Sequence, residues 1–480
     1  MKKFIAIVAA CCLSWAANMA QEPAQNSQSS PRPNSTPIHP TSAGHIVGIK
    51  GLAKVFADGL KTAAAVVQYD VPISNKGLSA SNFETDLGLA ITRVYANTEE
   101  NLSDKGSDGN YVIVEFDTSE WLDIHEELPE KRMLESNRKG RKRPQPKQLD
   151  GPQDLKADIS FRGNPPAHPS IMLSSRHGGQ GVGFSLRQTT PLKTVSGTTL
   201  PVSDWVENEK NITLVLDGFS KPDFHDELTG STQKFDLFVP YDYDPARQYP
   251  MVIYLHDEYA CWNRHDEPLT QGLGPVIWAE PNEQLKHECF VLVPIFHRTL
   301  LTTSVAKEAS LDVAMNLAEK VCQLYSIDRS RLYLVGQGAG ASAAILLMEQ
   351  HPHHFASALC LSAGWNAASS WNSLANENIL FIAAQGDTSG AASVEDFIAK
   401  VQHAGAKVAQ QEVSLNAKSK KINKRVMKLA ATPGNIKYLK LVDGVVPQGV
   451  TDDEIHNKQF TWRRAYLIDP VKEWLFAPNK

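Results

Sequence analysis

The stretch from Leu332 to Ala344, LYLVGQGAGASAA, constrains this chain more than any other. It reads as a short apolar strand, a glycine-rich turn and a helix of small residues. Gly336, Gly338 and Gly340 alternate through the turn. Glycine adopts positive φ at no steric cost, so the spacing predicts a strand bent sharply into a helix. Small residues after the bend let that helix lie close to the strand. Such a unit belongs in a sheet covered by helices.

The sequence Gly-x-Ser-x-Gly in this setting is the nucleophile elbow of α/β-hydrolases. Here both outer glycines are present and the centre is Gly338. Acyl transfer through a covalent intermediate needs an activated oxygen or sulfur, and glycine has neither. The elbow also strains its central residue, by about 1–3 kcal/mol where a Cβ is present. Gly338 keeps the bend, relieves that strain and carries no nucleophile. The turn alone would suit many α/β proteins, so its flanks decide the reading.

Residues 233–262 read QKFDLFVPYDYDPARQYPMVIYLHDEYACW. They are followed by LTQGLGPVIWAEPNEQLKHECFVLVP (269–294), YSIDRSRLYLVGQGAG (325–340) and HPHHFASALCLSAGW (351–365). In that order these segments resemble secreted bacterial esterases and predicted peptidases near the polyhydroxybutyrate depolymerase and prolyl oligopeptidase branches of the α/β-hydrolases. The resemblance spans about residues 230–478. It implies an α/β-hydrolase fold, a mostly parallel sheet with helices on both faces.

Carried across residue by residue, the resemblance puts the family's nucleophile at Gly338. Its acid falls on Ser389 in AAQGDTSGAASVEDFIAKVQHAGAKV, with Asp387 two residues earlier. Its histidine falls on Gln459, three residues before Trp462, with His456 further upstream. A shift of register substitutes Asp387 and His456 at those two positions. No shift supplies a serine at 338. The family's His-Gly pair at the oxyanion hole is replaced by His256-Asp257, followed by Glu258. Carboxylates beside a forming oxyanion oppose it, while the N–H of Ala339 remains in place to donate. Four changes at separate positions read as a coordinated loss of catalysis.

Other reactive side chains read as structural. Ser342 lies about one helical turn past Gly338, and Ser362 closes the next strand. His351, His353 and His354 read as a polar helix end, where cations suit the dipole. His256 and His265, with Asp257, Glu258, Asp266 and Glu267, form a second polar cluster. Its spacing matches no zinc pattern, so no metal and no cofactor is expected.

Lys2 and Lys3 precede an apolar run from Phe4 to Ala17, and small residues follow. This predicts a signal peptide over 1–20, cut after Ala20, and hence export to the periplasm, cell surface or exterior. The competing reading is a lipobox, Val8-Ala9-Ala10 before Cys11, anchoring the protein through Cys11. Cys261, Cys289, Cys322 and Cys360 lie beyond the leader, and their pairing stays open. No later segment approaches the roughly 20 apolar residues of a transmembrane span. The net charge of −5 on 480 residues gives no overall basic signal for nucleic acid.

Residues 21–44, rich in Pro, Ser, Gln and Asn, predict a disordered linker. From 45 to 225 the pattern is β. Runs at 63–73, 89–97 and 111–116, with later ones near 157–162, 181–186 and 211–217, predict a β-sandwich. The first of these also resemble the immunoglobulin-like domain that precedes some esterases of the family. Two charge-rich insertions interrupt the pattern. The first spans 125–150 and includes Arg138, Lys139, Arg141, Lys142 and Arg143. The second is KSKKINKRVMK at 418–428. Both read first as solvated loops, and second as docking sites for anionic glycans, lipid headgroups or an acidic partner.

In the second domain, strands at 251–256, 290–294, 331–336, 358–364 and 378–384 alternate with helical patterns. Leu311, Ala314, Leu317, Val321 and Leu324 mark one apolar helix face, and further helices are expected over 393–404 and 470–476. The expectation is therefore an exported α/β-hydrolase homologue that has lost serine-hydrolase activity. It would bind an unidentified ligand, such as a glycan, an ester or a protein surface. The alternative is an active carboxylesterase or peptidase with a displaced nucleophile or a metal-bound water.

Overall fold

The computed structural model describes residues 45–119, 183–257, 260, 267–296, 304–363 and 369–478. Ala43–Lys480 forms one compact unit. The signal segment, the linker, the 125–150 insertion, the run at 157–162, Glu258, Cys261, His265 and Asp266 lie outside the described residues.

The N-terminal part is an immunoglobulin-like β domain. Strands β1 (Ile46–Phe56), β2 (Gly59–Ile73), β3 (Phe83–Thr85), β4 (Ile91–Asn97), β5 (Gly109–Phe116) and β6 (Ser185–Gln188) come first. The short β7 (Leu192–Lys193), β8 (Thr199–Leu200), β9 (Val206–Glu207) and β10 (Lys210–Thr213) follow. One sheet has the order β10-β1-β2-β5-β4, and a smaller one β3-β6-β9. Ile49, Val67, Val112 and Val114 of the first sheet pack with Phe83, Phe184 and Leu186 of the second part. The runs expected at 63–73, 89–97 and 111–116 fall in β2, β4 and β5. Those at 181–186 and 211–217 fall later and earlier, as β6 and β10.

The C-terminal part contains β11 (Phe219–Ser220), β12 (Asp223–Asp226), β13 (Ser231–Phe238), β14 (Tyr249–Leu255) and β15 (Phe290–Ile295). It continues with β16 (Ile327–Gln337), β17 (Ser357–Leu361), β18 (Ile379–Ala384), β19 (Val408–Ser414) and β20 (Ile436–Asp443). These form a ten-stranded sheet, β11-β13-β15-β14-β16-β17-β18-β20-β19, with β12 beside β13. From β15 to β19 the strands run parallel, and β13 is antiparallel to β15. Helices named below are α1 (Glu267–Thr270), α2 (Pro281–Gln284), α3 (Ser304–Leu324), α4 (Ala339–Gln350) and α5 (Trp371–Leu374). They are followed by α6 (Thr388–His403), α7 (Ser419–Ala431), α8 (Glu454–Ala465) and α9 (Asp469–Phe476).

Burial on both faces explains why the strands read as continuous apolar runs. Alternate residues serve opposite layers. Met251, Ile253 and Leu255 meet α3, α4 and α6 on one face. Val252 and Tyr254 meet α7, α8 and α9 on the other. Leu311, Ala314, Leu317 and Val321 of α3 are buried as their spacing predicts. Leu324, the last residue of that helix, is instead exposed. The 418–428 segment, read as a loop, is helix α7. Ile422, Val426 and Leu429 supply an apolar stripe, spaced three and four apart, that seats it on the sheet.

Candidate functional site

The chain bends sharply at Gly338, between β16 and α4. Gly338 has φ 55° and ψ −121° and is the N-cap of α4. Its N–H donates to the carbonyl of Leu361 at 2.9 Å, which pins the bend to β17. A Cβ at Gly340 would lie 1.9 Å from the carbonyl oxygen of Leu255. Only glycine lets α4 approach β14 so closely. The motif therefore builds an elbow, and α4 aims the positive end of its dipole at it. With Gly338 at the tip, the elbow presents backbone and no side-chain nucleophile.

Beside the elbow, the ends of β14 and β16 carry a buried polar network. Asp257 Oδ2 accepts hydrogen bonds from Gln271 Nε2 at 2.6 Å and from Gln337 Nε2 at 2.9 Å. The Tyr466 hydroxyl donates to Gln337 Oε1 at 3.3 Å. Tyr254 and Tyr466 are fully buried, and desolvation pushes both phenols well above their ordinary pKa. The carboxylate of Asp257 is thus held by two side-chain amides. His256 is fixed as well. Its Nε2 accepts from the Phe296 N–H at 3.0 Å, so the proton sits on Nδ1, which donates to the Asp257 carbonyl at 2.8 Å. His256 is a neutral structural histidine.

Asp387 ends the loop after β18 and caps α6, accepting from the Gly390 N–H at 3.1 Å. It is 1% exposed. Burial raises its pKa, opposed by the neighbouring Ser362 hydroxyl and by the Gly390 N–H. Ser362 closes β17 at φ 47° and is fully buried. Ser389 lies in the first turn of α6, and its hydroxyl meets Glu454, whose pKa that contact lowers.

His456 lies in the first turn of α8. Its Nδ1 is 2.8 Å from Asp453 Oδ1, the N-cap carboxylate. The next residue, Asn457, packs against Gly386, which brings His456 near the Asp387 loop. Gln459 sits deeper in the same helix and is 4% exposed. It lines a cavity of about 20 Å³ with Gln337, Gln271, Trp462, Tyr466 and Ala57, room for one water. The arrangement thus gathers Asp387, Ser389 and His456 on adjoining loop ends, and Gln459 with the network behind the elbow. Sequence reasoning missed the Asp257–Gln271–Gln337–Tyr466 network. The only hint was the placement of polar Gln337 inside an otherwise apolar strand end.

Ser342 is buried in α4, and its N–H donates to the Gly338 carbonyl at 3.3 Å. His351 is the C-cap of α4. Cys289 and Cys360 are free, buried thiols, and Cys322 is partly buried. Among the described residues no group of three or more His, Cys, Asp or Glu is arranged to hold a metal. Among them, too, no helix is long and apolar enough to cross a membrane.

The strand order and the elbow define an α/β-hydrolase fold. Residues 48–201 match the family model for the esterase Ig-like N-terminal domain. A comparison with curated proteins returns no match. Among solved structures, the crystal structure of a thermostable esterase aligns with TM-score 0.67 and 22% identity. It covers 91% of this chain and 100% of that one. A ferulic acid esterase from Anaeromyces mucronatus aligns with TM-score 0.35 and 11% identity over 52% of this chain and 90% of that one. An S-formylglutathione hydrolase from Staphylococcus aureus gives TM-score 0.34 and 12% identity, over 54% of this chain and 96% of that one. The chain thus resembles an esterase Ig-like N-terminal domain over residues 48–201, and the part that follows has an α/β-hydrolase fold.

Proposed function

We propose that this protein is an exported, non-hydrolytic member of the α/β-hydrolase fold that binds a ligand at its former acyl-transfer site. The observation that carries this is Gly338, which stands at the tip of an elbow-shaped turn with no hydroxyl or thiol. The positive end of α4 still favours a carbonyl or carboxylate oxygen at that point. A ligand with an ester or acid group would be held there and not cleaved. On this reading residues 45–225 and 230–478 are the two functional domains, following a cleaved leader at 1–20.

A second reading keeps hydrolysis with a displaced nucleophile. It draws on the Asp453–His456 contact, an acid–base pair in the first turn of α8. Offering the purified protein p-nitrophenyl acetate and butyrate, with a fluorophosphonate probe, separates the two. We expect no turnover above a heat-denatured control and no labelled serine. Turnover with one labelled residue establishes the second reading.

A further inference from the structure

Helix α7 breaks two local rules at once. Lys418, Lys420 and Lys421 crowd its N-terminus, where the helix dipole disfavours cations. Lys420, Lys424 and Lys428 then repeat at steps of four, as do Lys421 and Arg425, placing like charges one turn apart. Residues 416–435 contain no Asp or Glu to offset them. None of these six cations forms an ion pair among the described residues. Elsewhere in the same domain many cations are matched. Arg247 meets Glu288, Arg329 meets Glu319, Lys440 meets Glu395 and Lys472 meets Glu283. A net acidic protein thus sets six cations side by side on one helix, at a cost to that helix. Such local conflicts are characteristic of functional surfaces.

The geometry points to one kind of partner. Ile422, Val426 and Leu429 face the sheet, so Lys420, Lys421, Lys424 and Lys428 share the outer face. That stripe runs about 12 Å along the helix. Met427 lies in its midst, 60% exposed. A soluble polyanion would leave this apolar side chain in water, whereas a headgroup layer would take it in.

We propose that α7 docks this protein onto anionic phospholipid bilayers, with the four lysines on headgroup phosphates and Met427 inserted between them. Each cation near such a surface strengthens binding about fivefold, and salt weakens it.

The test is co-sedimentation of the full chain with vesicles of phosphatidylcholine alone and with an equal part of phosphatidylglycerol. Binding to the anionic vesicles only is expected. Lys420→Gln, Lys424→Gln and Lys428→Gln together should weaken it about a hundredfold, with unchanged circular dichroism. Glutamine keeps the helix, and the single change Lys424→Gln, expected to lose about fivefold, serves if the triple variant misfolds. Met427→Ser should weaken binding without altering its salt dependence. Equal binding to both vesicles, or full retention in the glutamine variants, overturns the proposal. So does heparin binding as tight as vesicle binding with Met427→Ser silent, because the partner is then a soluble polyanion.

Discussion

Gln337 donates from Nε2 to Asp257 Oδ2 at 2.9 Å, joining the residue before the elbow tip to the residue closing the neighbouring strand. Both are buried, so the amide satisfies a carboxylate that water cannot reach. Replacing Gln337 with Leu should cost about 1–3 kcal/mol, the penalty of an under-satisfied buried acceptor. Adding Asp257→Asn to Gln337→Leu should recover part of that loss. Urea unfolding of the two single variants and the double variant measures the coupling, and strict additivity would show that the contact contributes nothing.

Gly338→Ser returns a hydroxyl to the elbow. It also places a Cβ at φ 55°, and the strain should cost about 1–3 kcal/mol. Esterase activity should stay at the level of buffer, because the acid and base positions are Ser389 and Gln459. Thermal melting checks the first outcome and p-nitrophenyl butyrate the second. Strong turnover in this single variant would show that Asp387 and His456 already form a working acid and base.

Asp387 supplies a pH signature. Burial raises its carboxyl pKa above the ordinary 3.8. The folded state then holds the proton more tightly than the unfolded state. Stability from this group is complete below 3.8 and is lost as pH rises through the raised value. Asparagine caps helices about as well as aspartate and carries no charge. Asp387→Asn should therefore match wild type at low pH and exceed it by a margin that grows towards neutrality. A margin that stays flat or shrinks between pH 3 and pH 7, on about the carboxylate range, would contradict this account.

Lys472 is a buried residue of α9, with Nζ 2.7 Å from Glu283 Oε1. Glu283 keeps a second, more exposed partner in Lys286. Lys472→Met should still cost about 3 kcal/mol, because it leaves a buried carboxylate without its closest cation. Glu283→Gln in that background should restore part of the loss, read from urea midpoints.

The thiols should separate by burial. Cys289 and Cys360 are fully buried, and desolvation pushes the Cys289 thiol up to about 12 and that of Cys360 higher still. Thiolate is the reactive form. Neither should label in the native protein, while the partly buried Cys322 should label slowly. Mass spectrometry after alkylation, native and denatured, gives the result.

Much of the C-terminal fold was legible because its strands are buried on both faces. Runs such as MVIYL and ILFIAA leave little ambiguity once they alternate with amphipathic helices. The glycines at 338 and 340 revealed the elbow because each has one steric reason to be there. Helix α7 was misread because its charge masks a narrow apolar stripe of three residues. The register around α8 was also hard to read. A tryptophan anchor at 462 points to Gln459, yet the helix begins at Glu454, so His456 is the residue at its mouth. The Asp257 network escaped because its partners are 14 to 209 positions apart and no periodicity links them.

Ala53, Val55 and Leu60, from the β1–β2 hairpin, belong to the same apolar cluster as Val252, Tyr254 and Trp278. Ala57, at the tip of that hairpin, also walls the small cavity beside Gln337. The two halves of the molecule therefore interlock, one finger of the first filling a socket in the second. Severing the chain between them should yield a C-terminal fragment with an open greasy notch and a slack wall behind the elbow, prone to clump.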